Sequence, residues 1–365
     1  MSSGSDSAAS VRRHRLRAQR LDDTARADEA GAPTVVRAVG GIQAQDMRSA
    51  VVGVAIRARG LRAGDITRAR EHERTIVRTW CMRGTLHLVP AELLASLLAV
   101  FGPVYITRGR RRLAALGLDD AASTRGVGII GGALAGRVLR TRMELAAAVR
   151  RQDATMHLRG QAPIHLVRRA CLEGVACEVG VRDGQPVYGL RSEWFPAPAA
   201  PPERTDALGA IARWYVAAFA PVFRDDFAAW SGLPAADVRQ GWAHVDDLVE
   251  VYPGLWARGA GTAAPAVDPA TVRLAPAFDS YLLGYRNRDH AVAPQHRALV
   301  HPGGGILRPT VLVDGRVAGT WRIKGARLVV ATFSGLPGVT IDALDGEVAR
   351  IGTALGTDLT LAMVG

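Results

Sequence analysis

The sequence predicts an α+β fold in which three tandem units, each of helices closed by a hairpin, precede a β-rich, barrel-like domain at the C-terminal end. Three observations lead there. Helical stretches are followed by β-rich runs that meet at a tight-turn dipeptide, as at Arg83-Gly84 and Asp183-Gly184. Two proline- and glycine-rich seams interrupt the chain: residues 195–202, where neither a helix nor a central strand can continue, and a looser one at 253–269. Beyond the second seam, three β-rich runs meet at Asp314-Gly315 and Lys324-Gly325, which reads as a meander of tight hairpins.

In chain order, residues 1–10 are small and polar and read as a disordered tail. Residues 11–21 form an arginine-rich helix, and 34–39 a short one stopped by Gly40-Gly41. Asp46 is placed to cap a helix over 47–59, and Asp65 to cap another. The runs 75–81 and 85–89 then pair. Helices followed by a hairpin describe a winged helix, the helix-turn-helix variant with a β-wing, here assigned to residues 11–125. The pattern recurs over 126–195. Thr141 and Glu144 have capping-box spacing, 163–174 reads as a recognition-type helix, and 175–181 with 185–190 supply the wing. A third copy is expected over 203–256, where Asp225 opens a helix, Gly232 breaks it and 235–245 supplies the next. Residues 270–365 form the β-domain, with strands at 306–313, 316–323, 327–333 and 359–364 and a helix at 343–355.

Hydrophobic residues make up 48% of the 365 and charged residues 22%, the balance of a folded globular chain. No stretch approaches the roughly 18 uninterrupted apolar residues of a membrane span, so none is expected, and three cysteines without a disulfide framework fit a reducing cytoplasm. Cys81, Cys171 and Cys177 show no CxxC or cysteine–histidine spacing and read as small core residues. His290, His296 and His301 share one loop-like stretch without convergent metal-ligand spacing, so neither metal nor cofactor is expected. Walker, nucleophile-elbow and dinucleotide fingerprints are missing; residues 126–136 are glycine-rich but lack the strand such a fingerprint needs.

The net charge of +12 points to a polyanionic partner, nucleic acid rather than an acidic metabolite. Of 46 basic residues only Lys324 is lysine, and arginine forks suit phosphates and stacked bases. Arginines cluster at 12, 13, 15 and 17, at 108 and 110–112, and at 168 and 169, the last pair in a recognition-type helix. A charge run can equally be a solvated face. The segment GGIQAQD, 40–46, stands out for a different reason. On a helix Gln43 and Gln45 would point about 200° apart, but in an extended connection they share one face. Two amides could then converge on a water or a sugar oxygen, or could simply tie down loop backbone.

GGIQAQD (40–46), MRGTLHLV (82–89), FDSYLLGYRNRD (278–289) and RPTVLVDGRVAGTW (308–321), in that order, resemble the AlkZ-type bacterial winged-helix DNA glycosylases. These are associated with unhooking interstrand crosslinks and with self-resistance to azinomycin. The resemblance implies three tandem winged helices and a C-terminal β-domain around a DNA channel. It also implies a catalytic glutamine–aliphatic–glutamine motif, matched by Gln43, Ala44 and Gln45. The expected function is hydrolysis of the N-glycosidic bond of N7-alkylated guanine by a monomer acting on double-stranded DNA. The alternative is a non-catalytic winged-helix regulator or damage-binding protein. Catalysis is assigned to Gln43 and Gln45. DNA contact is assigned to Arg12, Arg13, Arg48, Arg110, Arg111, Arg168, Arg169, Arg286, Arg288 and His301.

Overall fold

In the computed structural model, which describes residues 3–23, 29–195, 202–259, 271–336 and 338–364, α1 (Ser3–Ala18) takes in most of the stretch expected as a disordered tail. Arg15 and Leu16 bury its inner side. α2 (Ala32–Ala38) stops at Gly40 and Gly41, whose φ of 74° and 79° suit residues without a Cβ. β1 (Ile42–Gln43) leads into α3 (Met47–Ala55), capped as expected. Asp46 accepts from the Arg48 amide at 3.0 Å and from Ser49 Oγ at 2.6 Å. α4 (Ala63–Glu71) begins ahead of Asp65, so that residue is not its N-cap. Its carboxylate instead reaches back to the Arg62 amide at 2.8 Å. β2 (Ile76–Trp80) and β3 (Leu86–Pro90) pair from Ile76↔Pro90 to Trp80↔Leu86 around Arg83 and Gly84, both at positive φ.

α5 (Leu94–Ala115) differs from expectation. Residues 91–115 have the length and mean hydropathy of a membrane span, although no long uninterrupted apolar run exists. Leu97, Phe101 and Tyr105 are nonetheless buried within the protein, and the helix closes on Arg108, Arg110, Arg111 and Arg112. Next come α6 (Asp120–Leu134), β4 (Arg140–Thr141), α7 (Arg142–Gln152) and α8 (Ala162–Leu172). Thr141 and Glu144 make both halves of the capping box, at 3.3 and 2.6 Å. The glycine-rich run is largely helix, and a Cβ at Gly126 would come within 2.9 Å of Leu166 on α8. Helix–helix proximity, not a ligand, explains that glycine. β5 (Ala176–Arg182) turns into β6 (Gln185–Leu190) through Asp183 and Gly184, both at positive φ, the signature of a primed turn.

α9 (Arg204–Phe219), α10 (Arg224–Ser231) and α11 (Ala235–Ala243) follow, with Gly232 at φ 68° ending α10. β7 (Leu248–Tyr252) and β8 (Leu255–Arg258) form a hairpin that occupies the start of the second seam. The rest of that seam, 260–269, and residues 196–201 of the first lie outside the described residues. One order of elements therefore recurs three times along the chain: helix, short strand, helix, helix, hairpin. In the second copy β4 pairs with β6 at Arg140↔Tyr188, and in the third Val222 bridges to Trp256 of β8.

The C-terminal region holds β9 (Val272–Ala275), α12 (Ser280–Leu283), β10 (Thr310–Val313), β11 (Arg316–Lys324), β12 (Arg327–Thr332), α13 (Gly338–Leu355) and β13 (Thr360–Val364). The expected barrel-like domain takes the form of a five-stranded sheet in the order β13-β12-β11-β10-β9. β13 returns through α13 and so runs parallel to β12, while the other pairs are antiparallel. β9, only four residues long, was not legible beforehand. β10 starts after Pro309, which donates no backbone hydrogen bond. The second turn is Gly325-Ala326, because Lys324 still pairs with Arg327.

The chain divides into two compact units interleaved in sequence, where four consecutive segments were expected. Residues 1–66, 212–231 and 245–365 form one, and residues 67–211 and 232–244 the other. In the first, α13 packs on β9, β13 and α3, and Val52, Ile56, Leu274, Leu312, Leu344 and Ile351 share one core. In the second, the strands lie in the order β3-β2-β5-β6-β4 with α8 packed on β5 and β2.

Candidate functional site

From Ile42 to Gln45 the side chains alternate. Ile42 and Ala44 turn inward, 4% and 0% exposed, while Gln43 is half-buried and Gln45 exposed. This is the period of two of an extended chain, and it puts both amides on one side. Gln43 Nε2 donates to Gln45 Oε1 at 3.2 Å. The bond leaves the Gln45 NH2 group, which has no partner among the described residues, as a donor. Alanine fills the middle position completely, so its small side chain sits flush against the core.

Both ends of the segment are held. Gly40 lies against Phe219 so closely that a Cβ would come within 2.4 Å of the ring. At the other end the Asp46 cap starts α3. Behind α3 is a buried polar network centred on Arg57, which is 0% exposed. Its guanidinium makes two 2.8 Å bonds to the Asp279 carboxylate and one of 3.1 Å to Ser280 Oγ. It also donates to the carbonyls of Gly53 at 2.7 Å and Gln19 at 2.9 Å. Gln19 in turn donates to the carbonyls of Val39 and Ala218, and Ser280 Oγ donates to Gln19 Oε1 at 2.6 Å. The residue before Gly40 and the helix after Gln45 are thereby fixed to one frame.

The residues expected to touch DNA fall into different settings. Arg48 is exposed, just past the Asp46 cap. Arg12 and Arg13 are half-buried on α1; burial, then the neighbouring Arg316 charge, lowers the Arg12 pKa. Arg110 and Arg111 are exposed at the end of α5, with Arg110 3.2 Å from Asp120. Arg168 is half-buried and donates to the Gly84 carbonyl at 3.4 Å, and burial lowers its pKa. Arg169 differs from the other arginines expected to touch DNA. It is 9% exposed and paired with Glu173 and, at 3.5 Å, with Asp120, so it ties α8 to the start of α6. Adjacent residues on a helix point about 100° apart, so neighbours in sequence need not share a face.

Arg286, Arg288 and His301 are brought together, with Asn287, Asp289 and Arg297, around a cavity of about 530 Å³. Arg286 pairs with Asp225 at 2.7 Å, and His301 Nδ1 contacts the Ile306 carbonyl. Sequence reasoning missed Asn287 and Arg297 in this cavity, and the Arg57 network altogether. Nothing local marks Arg57, because its partner lies 222 residues away. The three cysteines are buried, and burial pushes the Cys81 and Cys177 thiols up to about 12, far from a reactive thiolate. Among the described residues, no group of three histidine, cysteine, aspartate or glutamate side chains could hold a metal ion. The arrangement at 43–45 offers neutral, pre-oriented dipoles on an open surface, suited to placing a water beside a developing cation.

The family described as DNA glycosylase AlkZ-like matches residues 36–354. An interstrand DNA cross-link repair glycosylase of Streptomyces sahachiroi is 29% identical over 344 residues, 89% of this chain and 91% of the relative. The solved structure of the Streptomyces sahachiroi DNA glycosylase AlkZ has a TM-score of 0.84 at 26% identity, covering 98% of this chain and 99% of its own.

Proposed function

The chain belongs to the AlkZ-like DNA glycosylase family, and from that premise we propose that it hydrolyses the N-glycosidic bond of N7-alkylated guanine in double-stranded DNA, interstrand crosslinks included. The observation that carries this reading is the hydrogen-bonded pair Gln43–Gln45, held between a glycine turn packed on Phe219 and a capped helix. Alkylation at N7 places a positive charge on the base. The C1′–N9 bond then breaks with its electron pair going to the base, which leaves neutral. A water molecule adds to the oxocarbenium carbon and loses its proton to solvent. Neither glutamine can take that proton at neutral pH. Their part is to orient the water and set amide dipoles against the charge that develops on the sugar.

The threefold helix–helix–hairpin order supports reading residues 32–90, 120–190 and 204–258 as winged helices that carry the duplex. The +12 charge supports a polyanionic substrate. Gln45 is exposed, not sunk in a closed pocket. That supports action on a base tethered to the opposite strand, which cannot be extruded freely as most glycosylases require.

The test is incubation with a duplex carrying one N7-methylguanine, followed by hot alkali. Strand scission at that guanine in excess of an enzyme-free control reveals an abasic site, since alkali alone opens and slowly cleaves at N7-methylguanine. A crosslinked duplex should resolve into single strands on a denaturing gel after the same incubation. Binding to both substrates with no scission and no unhooking would leave the damage-binding alternative.

A further inference from the structure

The cavity lined by Arg286, Asn287, Arg288, Asp289, Arg297 and His301 contains three arginines against one carboxylate. Arg286 is matched by Asp225 and Arg297 by Asp289, at 2.7 and 2.6 Å. Arg288 is different. Among the described residues no carboxylate pairs with it, and its buried Nε has no hydrogen-bond partner. Burial lowers its pKa, and among the described residues no negative group acts the other way. A guanidinium does not shed its proton, so this cation is held half out of water without compensation. An anionic ligand with several acceptor oxygens would offset that cost.

The position of the cavity suggests which anion. Gly284, just ahead of the arginines, lies against the Phe219 ring, where a Cβ would come within 2.2 Å of Cδ1 and Cε1. Gly40, just ahead of Gln43, lies against the Cε2 and Cζ edge of the same ring. The Arg57–Asp279 pair joins the two segments a second time. The glutamine pair and the cavity loop therefore spring from one rigid floor.

We propose that this cavity seats a backbone phosphate of the DNA beside the alkylated nucleotide, with Arg288 as its guanidinium clamp. The proposal rests on the glycosylase reading for the identity of the DNA, not for the anion chemistry. Arginine suits the task because its planar fork meets two phosphate oxygens at once. Arg288 is a positioning residue: by fixing the backbone it sets where the sugar stands relative to Gln43 and Gln45.

The experiment measures binding, separately from excision. Duplexes carry a 2′-fluoro-stabilised N7-methylguanine, which resists hydrolysis, and one uncharged methylphosphonate at each nearby linkage in turn. The wild type should lose about tenfold in affinity or more at one linkage, the worth of a charged hydrogen bond. Arg288→Met should bind the all-phosphate duplex about tenfold more weakly, lose nothing further at that linkage, and show a salt slope smaller by about 0.9. Arg288→Lys should recover the slope but not the full affinity, because it restores charge without the fork. Equal sensitivity of the wild type and Arg288→Met at every linkage would overturn the seat. So would inorganic phosphate abolishing the difference between them while no linkage is sensitive, since the cavity would then take a free anion. Excision is read on the ordinary N7-methylguanine duplex. Scission lost in the wild type with the linkage pattern intact would sink the glycosylase reading and not the seat.

Discussion

Arg57 and Asp279, 222 residues apart in sequence, form a bidentate ion pair sealed from solvent, with side chains 0% and 1% exposed. A pair this buried is expensive to desolvate, and apolar residues of similar volume often do as well or better for stability. Its five donated bonds instead fix α3, the carbonyl of Gln19 and the start of α12 in one arrangement. The pair thereby sets the frame on which the glutamine segment sits.

Breaking the pair from one side leaves a buried charge. Arg57→Met should lower stability by about 3–5 kcal/mol, read as a drop in the urea midpoint. Arg57→Met combined with Asp279→Leu should regain much of that loss while excision stays depressed. A double variant as active as the wild type would show that the pair does not position the glutamines.

Gln45→Ala should slow release of N7-methylguanine by roughly ten- to a thousandfold, the range for loss of one oriented dipole at a reacting centre. Duplex affinity should hardly change, since a neutral amide releases no counterions. Gln45→Glu should keep some turnover on monoadducts yet bind more weakly, its charge lying near phosphates as well as the forming cation. Wild-type excision rates in both Gln43→Ala and Gln45→Ala would remove the pair from the mechanism.

Affinity for duplex DNA should fall steeply as salt rises. Two arginines of opposite setting sharpen the test. Arg111→Ala, at an exposed site, should reduce the slope of log K against log salt by about 0.9 if it meets a phosphate. Arg169→Ala should leave the slope alone and lower thermal stability, because Arg169 is paired inside the fold with Glu173 and Asp120.

His87 is 2% exposed, and burial together with the nearby Arg83 charge drives its pKa down to about 3 from 6.5. The folded state therefore binds fewer protons than the unfolded one between those values. Stability associated with His87 is fully present above pH 6.5 and is lost as pH falls towards 3, by up to about 1.4 kcal/mol per pH unit. Urea midpoints at pH 7.5 and 4.5 should differ less for His87→Gln than for the wild type. Identical pH dependence would mean that His87 takes up its proton over the same pH range in the folded and unfolded chains.

Much of the local structure was legible in advance because its causes lie within a few residues. The capping box at Thr141 and Glu144, the Asp46 cap, the glycine stop at Gly40-Gly41 and the primed turns at Asp183-Gly184 and Asp314-Gly315 are set by neighbouring backbone groups. The extended face shared by Gln43 and Gln45 belongs with them, since alternation needs only the two residues and their flanks. The sign of the net charge was equally plain. Which arginine does what was not. Arg168 and Arg169 look alike in sequence, and only packing against α6 turns one into an internal tie. Arg57 finds its carboxylate, and Arg288 none among the described residues, through pieces of chain far apart in sequence. A charge has no backbone period, so its partner is chosen by the whole fold.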